Sequence, residues 1–245
     1  MNVAIVTPSY NPGRFFAETL RSVLSQAGDF SLAYHVQDAC STDGSLDLLR
    51  AMVDQVQHGN LPLQCRRLRV SFATEPDSGM YDAINRGFTR LLAEDVDLML
   101  WINADDRLAE GALAALVRHF RLHPQHDWVI GRTLQCDASG NHLLSLPPNT
   151  YRRYDLAAGR HDGMLLPFVT QEASAWRRQL WDRCGPLDSS LRYAGDYEYW
   201  KRAAAQGFEL QSIPLDLGWH RKRPGQLSSD GGYKDEINLV KLRQN

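Results

Sequence analysis

Several carboxylates and cations in this sequence stand where chemistry is done, directly after apolar runs. Leu98-Met99-Leu100-Trp101-Ile102 is followed by Asn103-Ala104-Asp105-Asp106. Adjacent carboxylates repel one another, and a hard divalent cation shared with an anionic ligand relieves that repulsion. The same residues also suit a solvated turn capping the helical pattern that follows. Leu32 to Gln37 is followed by Asp38, a group able to accept hydrogen bonds from a base or a ribose. The run Ser41-Thr42-Asp43-Gly44-Ser45 behind it reads as a turn opening a helix. Val3 to Val6 is followed by Thr7-Pro8-Ser9-Tyr10-Asn11.

Three more groups lie further along. Asp77 precedes a helical pattern and suits a cap, with Asp82 and Arg86 spaced as an i,i+4 pair. Asp196 falls at the start of a helix, where it either caps the helix or accepts a proton from an attacking hydroxyl. His220-Arg221-Lys222-Arg223 joins an imidazole to three cations; the histidine is either structural or a metal ligand, and the cations suit a developing negative charge.

The elements that must position these groups are legible from periodicity. Apolar runs at 3–6, 32–37, 68–72, 98–102 and 128–130 predict strands. Helical spacing predicts helices at 14–25, 46–56, 80–92 and 110–122. The clearest is the third, with Met80, Ala83, Ile84, Gly87, Phe88, Leu91 and Leu92 on one face. Residues 98–102 are apolar without alternation, as in a strand buried on both faces. Repeated strand–helix units imply a parallel sheet covered by helices, with ligands bound beyond the carboxyl ends of its strands. Asp137-Ala138-Ser139-Gly140 predicts a hairpin turn. Helical patterns recur near 178–184 and 197–206, but the second half is less regular. Tyr151, Tyr154 and Trp176 are expected either to be packed or to meet a lipid-linked acceptor or a partner subunit.

Composition narrows the class. A net charge of -2 gives no basic field for nucleic acid. The four cysteines lack metal-ligand spacing and read as reduced thiols. Neither a signal peptide nor a membrane-spanning stretch is recognisable, so a cytoplasmic protein is expected, with peripheral contact at the inner membrane face as an option. No glycine-rich phosphate loop follows Val6, which argues against a nucleotidyltransferase or a Rossmann oxidoreductase.

In this order and at this spacing the segments resemble the family 2 glycosyltransferases, particularly short bacterial members from polysaccharide and lipopolysaccharide gene sets. The resemblance spans roughly residues 1–230. It rests on Thr7–Asn11, Asp38 with Ser41–Ser45, Glu75–Gly87, Asn103–Asp106 and Gly195–Trp200. It implies an α/β protein of GT-A fold: a Rossmann-like, mostly parallel sheet flanked by helices, with an irregular acceptor-side second half. Residues 1–226 would be one domain, with 1–107 holding the nucleotide sugar and 108–226 facing the acceptor. Residues 227–245 would form a helical tail.

The resemblance further implies that Thr7, Pro8, Tyr10, Asn11, Asp38, Asp77, Asn103 and Asp105 contact the donor, a UDP-sugar by preference. Asp105, Asp106 and His220 would hold Mn2+ or Mg2+, and Asp196 would be the general base of an inverting transfer to a glycan or lipid-linked acceptor. Three positions depart from the family pattern. Asn103 replaces an acidic residue, Ala39-Cys40 replaces an acidic–glycine pair, and Gln171-Glu172 replaces His-Gln. A fold that binds a nucleotide or glycan without turnover is the alternative.

Overall fold

The computed structural model describes residues 1–93, 95–226 and 231–243. Strand β1 (Asn2–Ser9) is buried from Val3 onward because both of its faces are covered. It pairs in parallel with β2 (Gly28–Asp38) on one side and β4 (Leu98–Trp101) on the other. Beyond β2 lies β3 (Cys65–Thr74), also parallel. The crossovers are α1 (Phe16–Leu24), α2 (Ser45–Gln57) and α3 (Met80–Leu91). The chain steps outward from β1 to β3, then crosses back to place β4 on the far side of β1. That reversal opens a crevice at the carboxyl ends of β1 and β4, the usual ligand position in an open α/β sheet.

Helix α3 carries the expected apolar stripe, with Ala83, Ile84, Gly87, Phe88 and Leu91 buried. Gly87 has a packing reason. A Cβ there would lie 2.6 Å from Val6 Cγ1, so glycine lets the helix sit directly on β1.

The second half continues the same sheet. Its further strands are β5 (Arg107–Leu108), β6 (Trp128–Cys136), β7 (His142–Leu146), β8 (Ser174–Arg177) and β9 (Leu210–Arg221). The order is β3-β2-β1-β4-β8-β6-β9-β5, with β7 paired to β6. β8 runs antiparallel to β4, and β9 runs parallel to β6. The hairpin forms as expected: the Asp137 carboxylate accepts the Ser139 and Asn141 N–H groups, at 2.8 and 2.9 Å.

The helices here are α4 (Ala112–Leu122), α5 (Arg153–Ala157), α6 (Arg178–Cys184), α7 (Gly195–Ala205) and α8 (Tyr233–Leu242). Helix α8 lies in the expected tail; residues 227–230, 244 and 245 of that tail are outside the described residues. The four cysteines are free thiols. No described helix is long and apolar enough to cross a membrane.

Four tryptophans join the halves. Trp101 of β4 stacks on Trp200 of α7 at 5.7 Å and 8°, and Trp128 of β6 stacks on Trp200 at 4.8 Å. Trp176 of β8 meets Trp101 and Trp200 edge-on. Their indole N–H groups have no conventional acceptor, and edge-on contacts of this kind set ring faces within reach instead. Trp176 and Tyr151 are therefore core residues, while Tyr154 is 70% exposed.

Candidate active site

The loop after β1 is the first wall of the crevice. Thr7 is fully buried and its hydroxyl accepts from Tyr34 at 2.9 Å, so its side chain braces the sheet. Pro8 is buried as well. Tyr10 is 68% exposed and stands free. Asn11 adopts φ 45, receives the Thr42 N–H on its side-chain oxygen, and donates its own N–H to Ser41 Oγ, both at 2.8 Å. It clamps the β1 loop to the β2 loop.

Asp38 ends β2 but does not face outward. It is buried and accepts from Ser41 N–H at 2.8 Å, Ser41 Oγ at 2.5 Å and Thr74 Oγ1 at 3.1 Å. In this structure the carboxylate shapes residues 39–42 and the end of β3. Asp77 accepts the Gly79 N–H at 2.9 Å, and burial, with nearby Asp82 and Asp38, holds its carboxyl above the ordinary aspartate value. Asp82 and Arg86 pair at 2.8 Å as their spacing requires.

The turn after β4 separates its two carboxylates. Asp106 is buried; Oδ1 accepts the Arg221 N–H at 2.9 Å and Oδ2 accepts Asn103 Nδ2 at 3.3 Å. Burial raises its pKa well above the ordinary value, and the charges of Asp105 and Glu172 add to the effect. His220 places Nδ1 3.7 Å from Asp106 Oδ1, beyond hydrogen-bond reach. Asp105 turns the other way, and Arg223 Nε reaches its Oδ2 at 2.7 Å. Among the described residues no three His, Cys, Asp or Glu side chains converge as metal ligands. The expected set of Asp105, Asp106 and His220 therefore does not fit a resident divalent ion. One carboxylate is committed inward to N–H donors and the other to a guanidinium.

Asp196 opens the opposite wall. It is half-buried at the start of α7, one turn before Trp200, whose stacking on Trp101 brings α7 beside the end of β4. Tyr197 N–H donates to its Oδ1 at 2.8 Å and the Tyr81 hydroxyl at 3.3 Å. Burial pushes its carboxyl up to about 6 against these donors, with the Glu172 charge contributing.

Tyr81 of α3 is buried, and its hydroxyl also donates to Tyr193 O at 3.0 Å. Gly195 makes room for it, since a Cβ there would lie 2.6 Å from the ring. Helix α8 supplies another residue that the sequence gave no reason to single out. The Glu236 carboxylate accepts the backbone N–H groups of Arg192, Tyr193 and Ala194 at 2.7, 2.6 and 2.9 Å, fixing the segment that leads into Asp196.

Between the walls lie polar atoms without protein partners. Asn103 Oδ1 and both amide atoms of Gln171 are buried and unpaired among the described residues. Glu172 is buried beside them and close enough to influence both Asp106 and Asp196.

The crevice thus lies at a sheet reversal, with a carboxylate turn on one side and a desolvated aspartate on the other. Residues 1–228 match the model of the family described as glycosyltransferase like family 2, and the chain belongs to that family. A curated relative is the PGL/p-HBAD biosynthesis glycosyltransferase of Mycobacterium bovis, 25% identical over 80% of this chain and 67% of that one. The same description and figures hold for a Mycobacterium tuberculosis protein.

Among solved structures, S. aureus TarS 1-349 in complex with UDP-GlcNAc superimposes with a TM-score of 0.68 at 16% identity, over 98% of this chain and 65% of that one. The mannosyltransferase PcManGT from Pyrobaculum calidifontis, in complex with GDP-Man and Mn2+, gives 0.66 at 17% identity, over 98% and 62%. The chain thus spans just under two thirds of these solved neighbours, and the likeness fixes the fold.

Proposed function

We propose that this chain transfers a sugar, with inversion, from a nucleoside-diphosphate sugar to an acceptor hydroxyl, and that Asp196 is the general base. The observation that carries the reading is Asp196 itself, a carboxylate at the crevice whose desolvation holds it near 6. A base poised close to neutral pH is ionised when needed and still takes up a proton readily. Tyr81, its phenol raised well above the usual value by burial and the adjoining carboxylate, stays protonated as a donor to Asp196. The unpaired atoms of Gln171 and Asn103 would be satisfied by hydroxyls of the bound sugar, since buried polar groups otherwise cost about 1–3 kcal/mol each.

A UDP-sugar is the donor we favour, supported by the likeness to TarS with UDP-GlcNAc. Tyr10 is the exposed ring available to stack on the base. The acceptor would be a glycan or lipid-linked hydroxyl in cell-surface glycan synthesis, in keeping with the mycobacterial relatives. Work at the inner membrane face would suit the exposed Tyr154, Met164 and Leu165.

The test is a thermal-shift screen of UDP, GDP, dTDP and CDP followed by turnover of the matching sugars. At 100 times Kd a native-state ligand adds about 2.7 kcal/mol, roughly 5–10 °C in Tm for a chain of this size. A shift with one diphosphate and turnover of its sugar supports the proposal. A shift with no turnover of any matching sugar, with acceptor or as hydrolysis, would leave a binding protein, and no shift at all would refute the nucleotide site.

A further inference from the structure

The cations that follow β9 are not equivalent. Arg221 is 1% exposed and its guanidinium is turned inside the fold. Its N–H serves Asp106, Nε donates to Asp105 O at 3.0 Å, Nη1 to Asp137 O at 3.3 Å, and Nη2 to Glu18 Oε2 at 2.5 Å. It staples the Asp105–Asp106 turn to the hairpin and to α1, and its burial keeps it from a ligand in the crevice. Arg223 stands differently. Its Nε holds Asp105 Oδ2 at 2.7 Å, and its guanidinium carbon lies 5.5 Å from the centre of the Phe15 ring. Its N–H donates to Gln226 Oε1 at 3.1 Å. Nη2 has no partner among the described residues, and the side chain is 28% exposed.

Arg223 holds one of the two oxygens of Asp105, so a divalent ion shared with a diphosphate would have to sit on a carboxylate that already faces a guanidinium. Magnesium and manganese take one or two carboxylates plus phosphate oxygens. Asp106 is unavailable, which leaves Asp105, and Asp105 already carries a fixed positive charge. A guanidinium never loses its charge at physiological pH and matches phosphate oxygens with a planar fork.

We propose that Arg223 takes the place of the divalent cation: it stays on Asp105, presents its outer nitrogen to the donor's diphosphate, and makes donor binding independent of metal. This rests on the reading of the crevice as a nucleotide-sugar site. In transfer, the acceptor oxygen bonds to the anomeric carbon and the acceptor proton passes to Asp196. The bond from that carbon to the β-phosphate oxygen breaks, and its electron pair leaves with the nucleoside diphosphate. The negative charge gained there is what Arg223 offsets.

The experiment is calorimetric titration of the full chain with UDP, GDP, dTDP and CDP, in EDTA and in Mn2+. The diphosphate that binds should do so equally well in both. Arg223→Ala should weaken binding in EDTA about 10- to 100-fold, the loss of one charge-assisted contact. It should leave the matching nucleoside's affinity unchanged and, with Asp105 released, make diphosphate binding respond to Mn2+. Arg223→Lys, which keeps the charge, should retain part of the metal-free affinity. Wild-type binding that disappears in EDTA and returns with Mn2+ would overturn the proposal while leaving the nucleotide-sugar reading intact. No binding in either buffer would overturn both.

Discussion

Replacing Asp196 with asparagine should make the protein more stable and nearly inactive. The ordinary aspartate value is 3.8 and Asp196 stands at about 6. At 1.36 kcal/mol per pH unit, that gap is an ionisation penalty of up to about 3 kcal/mol in the folded state. Between pH 3.8 and about 6 the folded protein holds a proton that the unfolded chain has released. Stability therefore falls as pH rises through that window, and above it the penalty is complete. Asparagine carries no charge to desolvate, and its carbonyl still accepts the Tyr197 N–H. At pH 7 Asp196→Asn should unfold up to about 3 kcal/mol harder, with Tm raised by up to about 6–12 °C. Near pH 4 the two proteins should converge.

Turnover at pH 7 should drop about 10²–10⁴-fold with the base gone. Wild-type kcat/KM should fall tenfold per pH unit below about 6. Denaturant melts of both proteins from pH 4 to 8, with rates alongside, provide the measurement. A variant no more stable than wild type at pH 7, or a difference that persists unchanged to pH 4, would refute the claim that Asp196 is ionised at a cost.

Other substitutions test the supports of the site. Asp38→Ala should lose roughly 2–4 kcal/mol in a denaturant melt, because three donors, from Ser41 and Thr74, lose their acceptor. Glu236→Ala should lower kcat by releasing the 192–194 segment ahead of Asp196, whereas Leu239→Ser, exposed on the same helix, should leave rate and Tm unchanged. Gly195→Ala should displace the Tyr81 ring, costing about 1–3 kcal/mol of stability as overpacking does. Its kcat/KM–pH profile should move, because Tyr81 helps to set the state of Asp196.

The first half was legible because its signals are local. Val3–Val6 and Leu98–Ile102 are short apolar runs buried on both faces, and α3 declares itself by spacing alone. The second half hides its longest strand. β9 carries Pro214 and mixes buried with exposed positions, so it shows no clean alternation. The roles of carboxylates were harder still. Asp38, Asp105 and Asp106 all follow strands, and nothing local says which turn inward; that is decided by Ser41, Thr74 and the distant Arg221. The roles of Tyr81 and Glu236 could not be read locally because each matters through a partner more than 40 residues away, at Asp196 and at 192–194. Asp38 followed three residues later by Ser41 was a signal in reach, since short polar side chains commonly bond nearby backbone donors.

The indole stack also gives the protein an optical signature. Rings at 4.8 and 5.7 Å exchange excitation, so the buried set should produce a coupled circular-dichroism band and contribute little to emission. Trp219 stands apart, next to His220 and against the Arg107 guanidinium at 4.5 Å. Trp181, packed on Phe88 at 4.9 Å, also lies outside the indole stack, but of the two only Trp219 should change its fluorescence with events at the end of β9. The distance between the two walls of the crevice is then written in the dichroism and the state of the cation loop in the emission, and both are readable without a label.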